Sequence, residues 1–179
     1  GRLLRMPRSL SLRLMLAISL WSILALALTG LLISNFYRSR AEGDFRELLL
    51  AHAYSLMGGG ETDANGTLAT TPNLGDPRFL APDSGWYWTV SRADAPEKIV
   101  LSSPALARDT LAVKPVSKLA FNDLFRRSYT QLEAFGIEVE RLEAQLFFGD
   151  IDELHQVTVA GNRSDLEAGI AEFNFYLAL

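Results

Sequence analysis

The chain has 179 residues, of which 49% are hydrophobic, a length and composition that predict one soluble domain joined to a membrane segment. The absence of cysteine excludes disulfides, CxxC redox chemistry and thiolate metal sites. Four N-terminal arginines precede the longest apolar stretch, and the chain after them has 13 basic and 21 acidic residues, so that nucleic acid is disfavoured as a partner.

The N-terminal region predicts a membrane-spanning helix. Residues 14–37 carry no charge, and a helix of 24 residues spans about 36 Å, more than the hydrocarbon core of about 30 Å. Residues 1–13 are basic, and we expect them to be cytoplasmic because basic residues favour that side of a membrane. The alternative is a cleaved signal peptide, with Ala25-Leu26-Ala27 as the cleavage site.

The next segment, residues 38–57, predicts a continuation of this helix. Apolar and aromatic residues recur there at helical spacing on one side: Phe45, Leu48, Leu49, His52 and Leu56. Gly58-Gly59-Gly60 predicts the end of the helix, because glycine adopts the left-handed conformation at little cost. Residues 61–82 are rich in Gly, Thr, Asn, Asp and Pro and predict a loop.

Two strands and a helix are predicted in the middle of the chain. Large apolar residues alternate with Tyr and Thr along Trp86–Val90, which predicts a strand. A turn over Ala93–Glu97 and a second strand over Lys98–Ser102 complete a hairpin. Asn122–Leu132 predicts a short helix.

A second hairpin is predicted from alternation over residues 141–148, a Gly-Asp-Ile-Asp-Glu turn, and a strand over Leu154–Ala160. Ser164 and Glu167 match a capping box that opens a helix with Leu166, Ile170 and Phe173 on one face. Residues 173–179 are apolar, and we expect them to begin a truncated second transmembrane helix. Together these elements predict an α+β domain over residues 38–172, with an antiparallel sheet built from hairpins between two helices.

Several short motifs carry a resemblance to a known family. They are Asp76-Pro77-Arg78-Phe79, Ser84-Gly85-Trp86-Tyr87-Trp88-Thr89-Val90, Leu101-Ser102-Ser103-Pro104-Ala105-Leu106 and Val157-Thr158-Val159-Ala160-Gly161. With this layout, the chain resembles the N-terminal half of two-component sensor histidine kinases of the PhoQ-like group. Two features depart from that group: the turn between the first two strands lacks a glycine, and Pro104 replaces a polar residue.

The resemblance implies a PAS-like (PDC-type) sensor domain that forms a homodimer through its first helix. It implies a bacterial inner-membrane protein with residues 38–172 in the periplasm. It also implies a cytoplasmic kinase core beyond this fragment, which would use ATP and magnesium and phosphorylate a response regulator. Two other functions stay open: a single-span periplasmic enzyme or assembly factor, and a receptor with a different output, such as a chemoreceptor or a cyclase.

The fragment itself shows no catalytic motif. His52 and His155 lack the acidic neighbour that follows a phosphoacceptor histidine, and each is interpreted as a surface or half-buried packing residue. Gly58-Gly59-Gly60 is followed by no lysine at phosphate-loop spacing. We therefore expect neither catalytic nor cofactor-binding residues in residues 1–179.

One acidic region is a candidate site for a divalent cation. Carboxylates recur around the second hairpin, and oxygen ligands of this kind bind Mg²⁺ and Ca²⁺. The candidate ligands are Glu138, Glu140, Asp150 and Asp152. The alternative interpretation is a solvated strand face followed by a polar turn.

Overall fold

The computed structural model describes residues 9–59, 75–82, 84–106, 120–132, 136–147 and 153–179. The chain divides into two compact units. The anchor unit contains the chain up to Ala41 together with Gly169–Leu179, and the sheet unit contains Glu42–Ala168. The fold is α+β, as the sequence predicts. One long apolar helix is followed by an antiparallel sheet and a C-terminal helix.

The anchor unit contains the N-terminal part of helix α1, which runs over Leu10–Gly59. An 18-residue window of α1 has a mean hydropathy of 2.3, and none of that window is buried within the structure. Its length and composition are those of a helix that could cross a membrane, either as a span or as a signal anchor.

The anchor unit also contains the second part of helix α2, which runs over Arg163–Ala178. There the Phe173 ring stacks on the Tyr37 ring, with centroids 3.8 Å apart and an interplanar angle of 10°. The Ser34 hydroxyl donates a hydrogen bond of 2.6 Å to the Asn174 side-chain oxygen. The two helices therefore contact each other within this unit, through an aromatic pair and a polar pair.

The rest of α1 belongs to the sheet unit and buries one side. Phe45, Leu49, Ala53 and Leu56 are buried, at spacings of three and four residues that place them on one helical face. Most of the predicted face is confirmed, but Leu48 is 39% exposed because it lies beside that stripe. The helix ends at Gly59, within the predicted glycine run.

The sheet has five antiparallel strands: β1 (Tyr87–Arg92), β2 (Ala95–Ser102), β3 (Arg126–Leu132), β4 (Glu138–Phe147) and β5 (Leu154–Asn162). Their spatial order is β2-β1-β5-β4-β3, and each neighbouring pair is antiparallel. Strand β5 is therefore central, in keeping with the small and β-branched residues along Val157–Gly161.

The β1–β2 hairpin is confirmed, with a tighter turn than predicted. The turn is formed by Ala93 and Asp94, and β2 already begins at Ala95. The register shifts on both sides of Ser91, so β2 accommodates Pro96 and the two residues after it on one side, and Val100 on the other, as irregularities. Proline is tolerated there because β2 is an edge strand.

The predicted short helix over Asn122–Leu132 is wrong, because strand β3 occupies Arg126–Leu132. Each residue of β3 pairs with β4, from Arg126 opposite Ala144 to Leu132 opposite Glu138. The second predicted hairpin, β4 with β5, is confirmed. Its turn lies outside the described residues, apart from Glu153.

Helix α2 begins one residue earlier than the predicted capping box. The Asn162 side-chain oxygen accepts a hydrogen bond of 2.9 Å from the backbone N–H of Ser164, so Asn162 caps the helix in place of Ser164. The predicted apolar face is confirmed, since Leu166 and Ile170 are buried and Phe173 is partly buried.

One face of the sheet packs against α1. The side chains of this helix-covered face include Trp86, Trp88, Val90, Leu142, Val157 and Val159, all buried. Gly161 lies at the closest approach, because a Cβ atom there would come within 2.7 Å of Phe45 and 2.9 Å of Trp86. The Phe45 and Trp86 rings meet edge to face, with centroids 5.5 Å apart. Glycine is therefore required at this point of contact.

Candidate functional site: polar clusters that join the helices to the sheet

The first polar cluster, the Glu140 cluster, consists of Glu140, Arg46, Thr130, Arg163 and Glu42. Glu140 points from β4 to the helix-covered face, and its side chain is only 2% exposed. Its carboxylate accepts hydrogen bonds from Arg46 Nε at 3.1 Å, Arg163 Nη1 at 2.9 Å and the Thr130 hydroxyl at 2.9 Å. A buried carboxylate is tolerated because these donors replace the lost water.

Arg163 connects this cluster to both helices. It is the first residue of α2, and its Nη2 also lies 3.3 Å from Glu42 on α1 and 3.4 Å from Glu167 on α2. Burial acts to lower the pKa of Arg163, but hydrogen bonds to Glu140 and Glu42 outweigh it, so the pKa is raised and the charge is held. One guanidinium group thus links β4, α1 and α2.

The second polar cluster, the Trp86 cluster, consists of Trp86, Arg78, Asp76, His52 and Asp165. The Arg78 guanidinium lies over the Trp86 ring at 3.7 Å, and its Nη2 lies 2.7 Å from the Asp76 carboxylate. Trp86 Nε1 donates a hydrogen bond of 2.7 Å to Asp165 at the start of α2. The cluster therefore joins strand β1 to α2, and Arg78 holds the pKa of Asp76 below its ordinary value, chiefly through its hydrogen bonds.

The Ser84-Gly85-Trp86 motif builds the support for this second cluster. The Ser84 hydroxyl donates to the carbonyl oxygen of Arg78 at 2.7 Å and accepts from the Trp86 backbone N–H at 3.1 Å. Gly85 has φ +75°, and a Cβ atom there would come within 2.9 Å of the Asn162 side chain. Only glycine combines this backbone conformation with this close approach.

His52 reaches the Trp86 cluster from α1. Its Nε2 lies 3.9 Å from the Asp76 carboxylate, beyond hydrogen-bond distance, and has no hydrogen-bond partner among the described residues. Its ring meets Phe79 edge to face, with centroids 5.1 Å apart. Burial lowers the pKa of His52, more than the opposing effect of Asp76 raises it. The structure places His52 as a half-buried packing residue, as the sequence analysis interpreted it.

We expect replacement of His52 by glutamine to flatten the dependence of stability on pH between about 7 and 5. The folded-state pKa of His52 is lowered, while in the unfolded chain it is about 6.5. The unfolded state therefore binds the proton more readily, and stability falls as pH drops through this window. Urea unfolding of the full chain in detergent micelles at both pH values measures the difference.

Asp76 titrates at lower pH than His52, so its protonation does not contribute to the difference in stability between pH 7 and pH 5. Its folded-state pKa is lowered, and its stabilising effect is complete above about pH 4 and lost below it. Equal pH dependence in the wild type and in His52→Gln would show that the His52 proton is not linked to folding.

A third cluster, the Glu143 row, lies on the opposite face of the sheet and consists of Glu143, Arg127, Tyr129 and Arg141. The Glu143 side chain is 1% exposed and accepts hydrogen bonds from Arg127 Nε, from the Tyr129 hydroxyl at 2.7 Å and from Arg141 Nη2 at 3.3 Å. Burial, together with the bond to Glu143, raises the pKa of Tyr129. A solvated strand face was the alternative interpretation for the carboxylates of this hairpin, but Glu143 is buried.

The four candidate cation ligands do not all lie within the described residues. Glu138 is exposed on β4, and Glu140 is buried with two guanidinium groups on its carboxylate. Asp150 and Asp152 lie outside the described residues. Within the described ranges, no three His, Asp or Glu side chains converge to hold a metal ion. The cation site stays a prediction.

Sequence reasoning did not identify the Glu140 and Trp86 clusters as sites. Their members are far apart in the chain, and only Asp76, Arg78 and Trp86 belong to motifs that the resemblance singled out. His155, the second histidine, is buried on β5, with Nδ1 at 2.9 Å from the Glu153 carbonyl oxygen. It is therefore more buried than the surface or half-buried position predicted for it.

Comparison with known proteins gives no relative for this chain. No protein-family model matches it, and neither a curated protein nor a solved structure matches it significantly.

Proposed function

We propose that this chain is the membrane anchor and extracytoplasmic signal-input region of a bacterial sensor histidine kinase, with α1 and α2 as the two membrane connections. The observation that carries the proposal is the contact of the two helices within the anchor unit, at Tyr37–Phe173 and Ser34–Asn174. The five strands lie between α1 and α2 in the chain, and each helix belongs partly to the sheet unit and partly to the anchor unit. A domain connected twice to one anchor is the layout of a hairpin receptor.

The sheet supports a PAS-like identity for the sensor domain. The resemblance implies a PAS-like antiparallel sheet, and this chain has a five-stranded antiparallel sheet between its two helices, with the strand order β2-β1-β5-β4-β3. The motifs that resemble PhoQ-like kinases lie on β1, on β5 and around the Trp86 cluster. Together these features favour a sensor over an anchored enzyme.

The proposed mechanism uses the two clusters as coupling points. A stimulus shifts a receptor between two states only if it favours one of them energetically. The Glu140 cluster joins α1 and α2 to β4, and the Trp86 cluster joins α2 to β1. A change in the sheet unit that alters these ion pairs would therefore change how α1 and α2 are held, and the spans would transmit that change to a kinase core.

Cysteine crosslinking and labelling test the topology, because the chain has no natural cysteine. We expect Ser34→Cys with Asn174→Cys to form an intrachain disulfide in native membranes. Ser34→Cys with Glu172→Cys is the matched control, because residue 172 lies on another side of α2. In single variants, Asp94→Cys should react with a membrane-impermeant maleimide in spheroplasts, and Ser9→Cys only after lysis.

Three results would contradict the proposal. One is equal crosslinking of the two cysteine pairs, and another is labelling of Asp94→Cys only after lysis. The third is the absence of a kinase core from the gene beyond Leu179, where we expect the rest of a second span and that core. A gene without a kinase core would instead support an anchored enzyme or a receptor with another output.

A further inference from the structure

A groove in the sheet unit lies between α1 and the edge strand β3. Its volume is about 200 Å³, below the range of about 300–1,000 Å³ that is usual for drug-sized ligands. The groove has an apolar part formed by Leu50 and Leu142 and a polar part formed by Arg46, Glu47, Asn122, Arg126 and Ser128. A ligand that fits it must be small.

Hydrogen-bond donors dominate the polar part of the groove. Arg126 has no ion pair and no side-chain hydrogen bond with a described residue, and Arg46 bonds only through Nε, to Glu140. Arg127 also lines the groove, but its guanidinium is held by Glu143 on the opposite face of the sheet. Two guanidinium groups therefore have nitrogens available to a ligand, and the carboxylate of Glu47 opposes them at the exposed rim.

A tight turn fixes Arg126 at the groove. The Asn122 side-chain oxygen accepts hydrogen bonds of 3.0 Å from the backbone N–H groups of Leu124 and Arg126. Phe125 adopts φ +56°, an uncommon conformation for a bulky residue, and its carbonyl oxygen accepts a hydrogen bond from Gln145. The Asn122 amide N–H groups are left as further donors within the described part of the chain.

We propose that this groove binds a small organic carboxylate. Guanidinium groups bind carboxylates through paired hydrogen bonds, and Asn122 and Ser128 add neutral donors. Leu50 and Leu142 offer contact to a short aliphatic chain, which an inorganic oxyanion lacks. The site lies on the helix-covered face of the sheet, where Arg46 joins it to Glu140, one of the acidic residues considered for a cation.

The groove is also linked to α2 through the side chain of Arg46. The signalling role that we give to this link rests on the proposed function. Arg46 is shared between the groove and Glu140, and Glu140 also binds Arg163 at the start of α2. A carboxylate bound to Arg46 competes with Glu140 for that guanidinium. Ligand binding would then leave Glu140 to Arg163 and Thr130 and change how α2 is held.

Calorimetric titration of the full chain in detergent micelles with butyrate and with succinate tests the site. We expect saturable binding of at least one of them at millimolar concentration, and a loss of about tenfold or more in Arg126→Ala. Arg92→Ala removes an arginine of the same sheet outside the groove and should bind as the wild type does. Glu47→Gln should bind more tightly, because Glu47 is the one carboxylate among the described residues that line the groove.

The other outcomes each have a defined meaning. Binding of inorganic phosphate or sulfate without butyrate or succinate would overturn the organic carboxylate as ligand. Absence of binding, or equal binding in Arg126→Ala and Arg92→Ala, would overturn the site, while the cysteine topology would still stand. Binding that leaves the Ser34→Cys/Asn174→Cys crosslinking rate unchanged would overturn the input role and keep the site.

Discussion

Replacement of Glu143 by alanine will lower the free energy of unfolding by about 3–5 kcal/mol. Glu143 is the single carboxylate of the Glu143 row, and Arg127, Arg141 and Tyr129 all donate to it. Arg141 is 1% exposed and Arg127 is 12% exposed, so water cannot replace the lost carboxylate fully. Removal of one partner from a buried ion pair leaves the remaining charge without compensation, which costs more than the pair contributes.

Glu138→Ala is the matched control, because Glu138 lies on the same strand and its side chain is exposed. We expect this control to change stability by no more than about 0.5 kcal/mol. Glu143→Gln, which keeps a hydrogen-bond acceptor without the charge, should fall between the two. Urea unfolding of the full chain in micelles, followed by tryptophan fluorescence, gives the three values. Equal effects of Glu143→Ala and Glu138→Ala would show that the row is solvated.

Local sequence patterns were sufficient for elements whose apolar residues repeat at one clear spacing. The face of α1 with Leu49 and Leu56 follows the helical period, and the strand with Val157 and Val159 follows the period of two. Both hairpins were predicted for the same reason. Such patterns are local, and a few neighbouring residues contain the information needed.

Strand β3 could not be predicted in this way. Its residues Arg126–Leu132 are mostly polar, and neither period is clear over seven residues. It is a strand because each residue pairs with β4, and that pairing depends on residues farther along the chain. Tertiary context decided the conformation of a segment whose own preference was weak.

The polar clusters required non-local information as well. Arg46 and Glu140 are 94 positions apart, and Trp86 and Asp165 are 79 positions apart. The alternation over residues 141–148 predicts a strand, but it does not show what covers the charged side chains. Both faces are buried, because charged residues on β3 and on the helices pair with those on β4. A charged strand face is solvated only when no partner covers it.

Replacement of Leu49 by alanine will lower the free energy of unfolding by about 2–5 kcal/mol. Leu49 is fully buried, on the face of α1 that packs on the sheet between Phe45 and Ala53. The loss combines the transfer free energy of the removed methyl groups with the cost of a cavity that the rigid sheet cannot fill. Because this helix also presents Arg46 to Glu140, we expect the contact between these two side chains to weaken together with stability.

Leu48→Ala separates burial from helix propensity, since Leu48 precedes Leu49 in the same helix and is 39% exposed. Both variants replace leucine by alanine at an interior position of α1, so any change in helix propensity is shared. Leu48→Ala should therefore cost much less than Leu49→Ala when both are unfolded in urea under the same conditions. An equal loss in the two variants would mean that α1 does not bury this face against the sheet, and the coupling of α1 to Glu140 would then lack its structural support.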